Sequence, residues 1–192
     1  MSNRGIVFVV SAPAGTGKTT LVERLKSEFP QVVQSIAYTS RSPREHEVNG
    51  VHYHFVTKEE FKERLKTGDF LEHVELYGTY YGTSRLWVEA RLKENKMVFL
   101  VIDTQGALIL QQHSLKFPIV YIFIKPPSID ALQARLLKRA TETEESMRIR
   151  LAQAEQELSR ESYYDYSIVN DQFEEAYQAL KAIFIAEQHR IR

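Results

Sequence analysis

The stretch that most constrains this chain runs IVFVVSAPAGTGKTT, from Ile6 to Thr20. Ile6 to Val10 form an unbroken apolar run rich in β-branched residues, which suits a strand buried on both faces. Thr19 to Phe29 carries Leu21, Val22, Leu25 and Phe29 at helical spacing and is closed by Pro30. The order strand, glycine loop, helix aims successive backbone N–H groups and the positive end of a helix at a polyphosphate. Lys18 adds a formal charge and Thr19 a hydroxyl for magnesium. The full pattern G-x-x-x-x-G-K-[ST] asks for glycine at position 12, where this chain has Ala12. Gly15, Gly17, Lys18 and Thr19, the positions nearest the phosphates, are intact, and Ala12 adds a methyl group that is tolerable if its φ is negative. The competing reading, a plain turn with a surface lysine, is disfavoured by the strand before it and the helix after it.

The chain has 192 residues, 43% of them hydrophobic, enough for one substantial core and too few for two comfortable domains. Lys+Arg and Asp+Glu both number 25, so no global field favours nucleic acid or an anionic membrane, and basic residues must act locally. There is no cysteine, hence no disulfide framework or thiolate metal site. The N-terminal apolar run is too short for a secretion signal and no segment is long enough to span a bilayer, so a cytoplasmic protein is expected.

Met97 to Ile102 and Ile119 to Ile124 are further apolar runs suited to central parallel strands, and Tyr166 to Val169 is a shorter candidate. Helical patterns follow each: Gln105 to His113, Ile129 to Arg139 and Gln172 to Arg190. This alternation predicts a three-layer α/β domain with a mostly parallel sheet. Between about Ser35 and Thr83 the rhythm changes. The segments Tyr53 to Val56 and Phe70 to Leu76 are half-polar and bracket one helix, which opens with a capping box at Thr57-Lys58-Glu59-Glu60 and has Gly68 near its end. Such alternation predicts a small sheet with one wet face, an insertion carrying a second binding surface. The polar stretch RATETEES, Arg139 to Ser146, lies between two helical patterns beside Arg135, Arg148 and Arg150. Arg135 and Arg139 are one turn apart and can converge on one phosphate chain, although charged helix faces are often merely solvated.

Taken in order, SAPAGTGKTTL, TSRSPREHEVNGVHYHFV, FLEHVELYGTYYGTS, IDTQGA, RATETEES and IVND give the chain a resemblance to the guanylate kinase family over essentially its whole length. The resemblance implies a P-loop core that holds ATP, a GMP-binding region at 35–84 and a mobile helical lid at 136–150, all within a single domain. It implies that Ala14, Gly15, Thr16, Gly17, Lys18, Thr19 and Thr20 hold ATP, with Asn170 near its base, and that Thr19 meets Mg2+. Arg41, Arg44, Tyr53 and Tyr81 would hold the phosphate of GMP, while Glu72, Thr83 and Asp103 would read guanine. Lys18, Arg135, Arg139 and Arg150 would act on the transferring phosphoryl group. ATP and GMP are the implied substrates, with no nucleic acid or membrane partner.

The residue chemistry agrees with these implied roles. Guanine presents two adjacent donors beside the O6 acceptor, and one carboxylate can accept from both. Glu72 alternates with Phe70, Val74 and Leu76, which puts a charge on an apolar face where it is costly unless paired, whereas Glu75 points the other way. Thr83 can donate to O6. Arg41 and Arg44 flank Pro43, and tyrosine hydroxyls can complete a cage around phosphate. Of the adjacent Tyr80 and Tyr81 only one should face the ligand, and the resemblance selects Tyr81. His52 and His54 are not expected to bind metal, and Trp87 and the apolar residues of Ala176 to Ile185 are expected to pack.

Three positions depart from the family pattern: Ala37 replaces a serine that contributes to guanine recognition, Val101 an aspartate near the phosphate and magnesium end, and Ala140 a glycine at the lid hinge. Two other functions remain possible on sequence grounds. One is a scaffolding module of the same shape that binds peptides. The intact phosphate loop, the retained arginines and a chain without appended modules weigh against it. The other is a kinase for a different nucleoside monophosphate, against which Glu72 and Thr83 weigh.

Overall fold

A computed structural model describes residues 5–76, 78–137 and 144–191. The strand β1 (Ile6–Ser11) leads into α1 (Lys18–Glu28), β2 (Val32–Gln34), β3 (Tyr38–Thr39), β4 (His54–Phe55) and α2 (Lys58–Lys66). There follow β5 (Phe70–Leu76), β6 (Thr79–Ser84), α3 (Arg85–Lys93), β7 (Met97–Val101) and α4 (Thr104–Gln112). The chain ends with β8 (Ile119–Lys125), α5 (Ile129–Leu137), α6 (Glu144–Leu158), a 3-10 turn at Glu161–Tyr163, β9 (Tyr166–Val169) and α7 (Phe173–Gln188).

The central sheet has the order β2-β7-β1-β8-β9, with every neighbouring pair parallel. The alternating side chains of β1 divide between its faces. Ile6, Phe8 and Val10 meet Leu21, Val22 and Leu25 of α1 and Ala176, Leu180 and Phe184 of α7. Val7 and Val9 join Val98 and Leu100 of β7, Ala107 and Leu110 of α4, and Val88 of α3. Burial on both faces is what the unbroken apolar runs require, and the expected three layers follow. Phe8 stacks on Phe99 across the strands at 4.8 Å. A separate small cluster, Leu132, Leu136, Met147 and Ala154, holds α5 against α6. Among the described residues no helix is long and apolar enough to cross a membrane.

The insertion forms a second sheet of order β4-β3-β6-β5, mixed in direction. Helix α2 begins as anticipated: the Thr57 hydroxyl accepts from the Glu60 N–H, and the Glu60 carboxylate accepts from the Thr57 N–H. Gly68, just past its end, adopts φ +69. Two expectations are corrected here. The strand anticipated from Tyr53 to Val56 is reduced to His54–Phe55, because it has only the two-residue β3 beside it; the Val56 N–H makes the last bond to β3, donating to the Thr39 carbonyl at 3.0 Å. The alternation of Phe70 with Glu72 is broken by a bulge between them. From Glu72 onward the pattern holds, whereas Phe70 turns to stack on Phe61 at 4.3 Å and Leu71 enters the core beneath the central sheet. Trp87 packs against that same core, His54 stacks on Tyr38 at 4.6 Å, and His52 accepts a hydrogen bond from the Val48 N–H.

Candidate active site

After β1 the chain returns to one edge of the sheet through β2, and after β7 it crosses to the other side through β8, so the order reverses at β1. Ligands of open parallel sheets sit at the carboxyl end of such a strand. Here that end carries the loop from Ser11 to Gly17. Gly15 and Gly17 have φ +91 and +87, a region that disfavours any side chain, and a Cβ on Gly17 would lie 2.7 Å from the Asn170 amide nitrogen. The Thr16 hydroxyl donates to the Pro13 carbonyl at 2.9 Å. Asn95 is the only non-glycine residue with positive φ among the described residues, so Ala12 meets its condition and the missing glycine costs no strain.

Helix α1 starts without a capping side chain and without an acid in its first turn. Helices α2, α3 and α4 are each capped, by Thr57, Ser84 and Asp103. The first N–H groups of α1 therefore face the loop without a side chain to accept from them, which suits an anion. Lys18 donates to the Ala12 carbonyl at 3.4 Å, folding its chain over the loop. Ala14, Thr19 and Thr20 are exposed on the same rim.

Two adjoining clefts open beside this loop, of about 250 and 480 Å³, and share Ala14, Leu76, Tyr81 and Glu157. The smaller brings together Lys18, Tyr53, Glu72, Tyr81 and Asp103, residues from five parts of the chain. Ala37 and Val101 also face it, so two of the three departures from the family pattern lie on its wall. The larger is faced by Arg150 and Gln153 of α6.

Glu72 is 3% exposed, and the Thr83 hydroxyl donates to its Oε1 at 2.6 Å across the β5–β6 pair. A Cβ on Gly106 would lie 2.9 Å from Glu72 Oε2, so the first turn of α4 comes as close to the carboxylate as a glycine allows. Asp103 caps α4 through Oδ1, which accepts from the Gln105 and Gly106 N–H groups at 2.7 and 3.0 Å. Burial, opposed by the Thr83 hydroxyl, pushes the Glu72 carboxyl from 4.5 up to about 7. At roughly 1.4 kcal/mol per unit, the charged form is disfavoured by about 3 kcal/mol. One or two hydrogen bonds from a ligand to the carboxylate, at roughly 1.5–3 kcal/mol each, would offset this. The pocket is thus poised for a ligand that donates to this group.

At the phosphate end expected for the acceptor, Arg41 lies over the Tyr53 and Phe55 rings at 5.5 and 5.7 Å. Tyr53 and Tyr81 meet edge to face at 6.0 Å, while Tyr80 turns away to stack on Phe61 at 5.3 Å, the split expected of neighbours in a strand. Arg44 is exposed on the same loop.

Other expected residues have further duties. Asn170 is buried and its amide donates to the Thr16 carbonyl at 2.6 Å, so it braces the phosphate loop from below. Arg135 donates to the Asn170 and Asp171 carbonyls at 2.8 and 3.3 Å, tying α5 to the loop before α7. Arg139 and Ala140 lie outside the described residues. Sequence reasoning overlooked Glu47, which pairs with Arg41, and Glu157, whose Oε2 is buried in the clefts without a hydrogen-bond partner among the described residues. Glu157 stands two helical turns after Arg150, a spacing that places both on one face of α6 and could have signalled it.

Burial also pushes Glu157 up to about 7. Both carboxyls therefore keep protons in the folded chain between 4.5 and about 7, where the unfolded chain has released them. Stability from this source is complete below that window and lost as pH rises through it. The ligand-free melting temperature is expected to fall by roughly 10 °C from about pH 5 to about pH 8, with a clearly smaller fall in Glu72→Gln. Calorimetric melts across that range check this, and equal falls in both proteins would place the titration elsewhere.

Residues 4–187 match the family model described as guanylate kinase. The chain is 56% identical over 188 residues to a guanylate kinase of Protochlamydia amoebophila, covering 98% of this chain and 94% of that one. It is 49% identical over 185 residues to a guanylate kinase of Chlamydia felis, covering 96% and 89%. The crystal structure of guanylate kinase from Anaplasma phagocytophilum superposes with a TM-score of 0.79 at 34% identity, covering 97% of this chain and 88% of that one. Matched over nearly its whole length by the family model and by these relatives, the chain belongs to the guanylate kinase family of nucleoside monophosphate kinases.

Proposed function

We propose that this enzyme transfers the γ-phosphoryl group of ATP to GMP, giving ADP and GDP. The observation that carries the reading is Glu72: a buried carboxylate, bonded by Thr83 and facing the same cleft as Lys18. Guanine's N1–H and exocyclic amine would donate to Glu72, and the Thr83 hydroxyl, turned from Glu72, would donate to O6. Asp103, whose Oδ1 is spent on the cap of α4, would offer its second oxygen to the amine. Adenine has neither O6 nor the N1–H, so it would leave the buried carboxylate unpaired.

With the base so placed, Tyr53, Tyr81, Arg41 and Arg44 would hold the acceptor phosphate, and residues 35–84 form its binding region. An oxygen of the GMP phosphate attacks the γ-phosphorus as the bond to the β–γ bridging oxygen breaks. That oxygen is already a competent nucleophile, so no side chain has to remove a proton. The transition state is loose, and the protein's task is alignment and charge stabilisation. Lys18 and the first N–H groups of α1 would serve the ATP phosphates. Arg139 and Arg150 would close from the 136–150 lid and exclude water, joining Arg135, which α5 would hold beside the transferring phosphoryl group.

The donor set fits magnesium. Thr19 offers a hydroxyl on the rim, and among the described residues no group of three or more His, Cys, Asp or Glu forms a dedicated cage. Magnesium keeps several waters and is largely carried by substrate phosphates. When bound it would neutralise charge on the ATP phosphates, with Thr19 as its protein ligand.

A coupled assay with ATP and GMP, AMP, UMP or dTMP, each alone, tests the reading. GMP is expected to exceed each of the others by at least about a hundredfold in kcat/KM. Preference for another nucleotide, or turnover of none, would overturn it.

A further inference from the structure

Glu47 bonds to both arginines of the acceptor-phosphate loop. Its carboxylate accepts from Arg41 Nη1 and Nη2, both at 2.8 Å, in an end-on fork. It also accepts from the Arg44 backbone N–H at 2.8 Å, while the Glu47 N–H returns to the Arg44 carbonyl at 2.9 Å. Arg41 Nη1 gives its other bond to the Ser42 carbonyl at 2.8 Å. The segment from Ser40 to Val48 contains no helix or strand, so these bonds define its shape. The Arg41 and Arg44 interactions hold the Glu47 carboxyl at about 2, so it is charged at every working pH.

Two functions are possible for an acid in this place. It could stand in for the phosphate and leave when the nucleotide arrives. Alternatively, it could stay and hold the arginines ready. The donor inventory separates them. A guanidinium has five N–H donors; the bonds to Ser42 and Glu47 take three, and the Tyr81 hydroxyl meets the same guanidinium and keeps its own O–H to donate. The remaining donors, with the Arg44 side chain and the Tyr53 and Tyr81 hydroxyls, are enough to surround a phosphate. Displacing Glu47 would break its bond to the Arg44 N–H as well as both bonds to Arg41. We propose that Glu47 is the positioning residue of the acceptor-phosphate site, fixing the Arg41 side chain and the Arg44 backbone before GMP binds and remaining bonded to Arg41 in the complex.

This inference rests on the guanylate kinase reading and has its own sign. Removing an acid next to a phosphate dianion makes the site more positive. If Glu47 only competed with phosphate or screened it, Glu47→Gln would tighten GMP. If Glu47 positions the arginines, the same change weakens it.

The experiment is calorimetric titration of GMP into the whole protein without ATP, followed by steady-state kinetics. Glu47→Gln is expected to weaken GMP about tenfold or more and to raise its KM similarly. The KM for ATP, and kcat at saturating GMP, should stay within about twofold, and the inhibition constant of guanosine, which lacks the phosphate, should not move. Glu47→Asp keeps the charge but shortens the reach, so it should weaken GMP as well. In an Arg41→Lys background, Glu47→Gln should cost much less than in the parent. Unchanged or tighter GMP binding by Glu47→Gln, or parent-like binding by Glu47→Asp, would overturn the proposal. Failure of the parent protein to bind GMP would instead overturn the functional reading.

Discussion

Lys18→Ala is expected to lower kcat by roughly two to three orders of magnitude while leaving the affinity for GMP close to that of the parent. Lys18 opens α1 and bends over the loop to the Ala12 carbonyl, on the donor side of the cleft. The acceptor's base and phosphate would be held by residues from the inserted sheet and its loop, whose backbone this substitution does not touch. A positive charge aimed at oxygens that gain charge in the transition state contributes most there, so the loss belongs in kcat. Stability should respond differently. A cation in the first turn of a helix opposes the helix dipole, and alanine is the better helix former, so Lys18→Ala should melt no lower than the parent. Steady-state kinetics and a thermal melt on the same preparation check both halves. A kcat within tenfold of the parent would remove Lys18 from the chemistry.

The parts of this molecule that could be read from its sequence are those fixed by local chemistry. The unbroken apolar runs of β1, β7 and β8 imply burial on both faces, and that alone places them inside a parallel sheet. The capping box at Thr57 and the glycines of the phosphate loop are equally local. By contrast β3 is two residues long and β2 three, too short to show any period, and they exist because longer strands lie beside them. The bulge in β5 arises from its pairing with β6, so the sequence offers strict alternation where the structure has a step. At the site, residue identity was legible where a charge had to be buried, as at Glu72. Duties settled by distant neighbours were not. Asn170 reaches Thr16 across 154 positions, and Arg135 is drawn to the loop around Asn170. Glu47 reads as one more charge in a polar loop until its fork with Arg41 is seen.

Recognition of the base is separable from transfer of the phosphoryl group, and Glu72→Gln isolates it. The substitution preserves volume and one acceptor, and turns an NH2 group toward one of guanine's donors. Its effect combines two opposing contributions. The parent carboxyl, near 7 in the empty cleft, must be charged to accept from both donors, so part of the binding energy goes to holding it ionised. The amide is free of that cost but loses one or two charge-assisted hydrogen bonds, worth roughly 1.5–3 kcal/mol each, and sets donor against donor. The loss is the larger, and the KM for GMP should rise by at least about tenfold. The KM for ATP should stay nearly constant, because the phosphate loop is not involved, and the preference for GMP over AMP should narrow. The Thr83 hydroxyl can still donate to the amide oxygen, so the β5–β6 pair should survive and the variant should fold. The parent should also bind GMP more weakly as pH falls below about 7, and this part of the pH dependence should vanish in Glu72→Gln, leaving that of the nucleotide's own phosphate. Kinetics with each nucleotide varied in turn, repeated across pH, decide the matter. Unchanged GMP affinity and selectivity in the variant would make Glu72 a structural carboxyl bonded to Thr83 and shift guanine recognition to Thr83, Asp103 or the backbone.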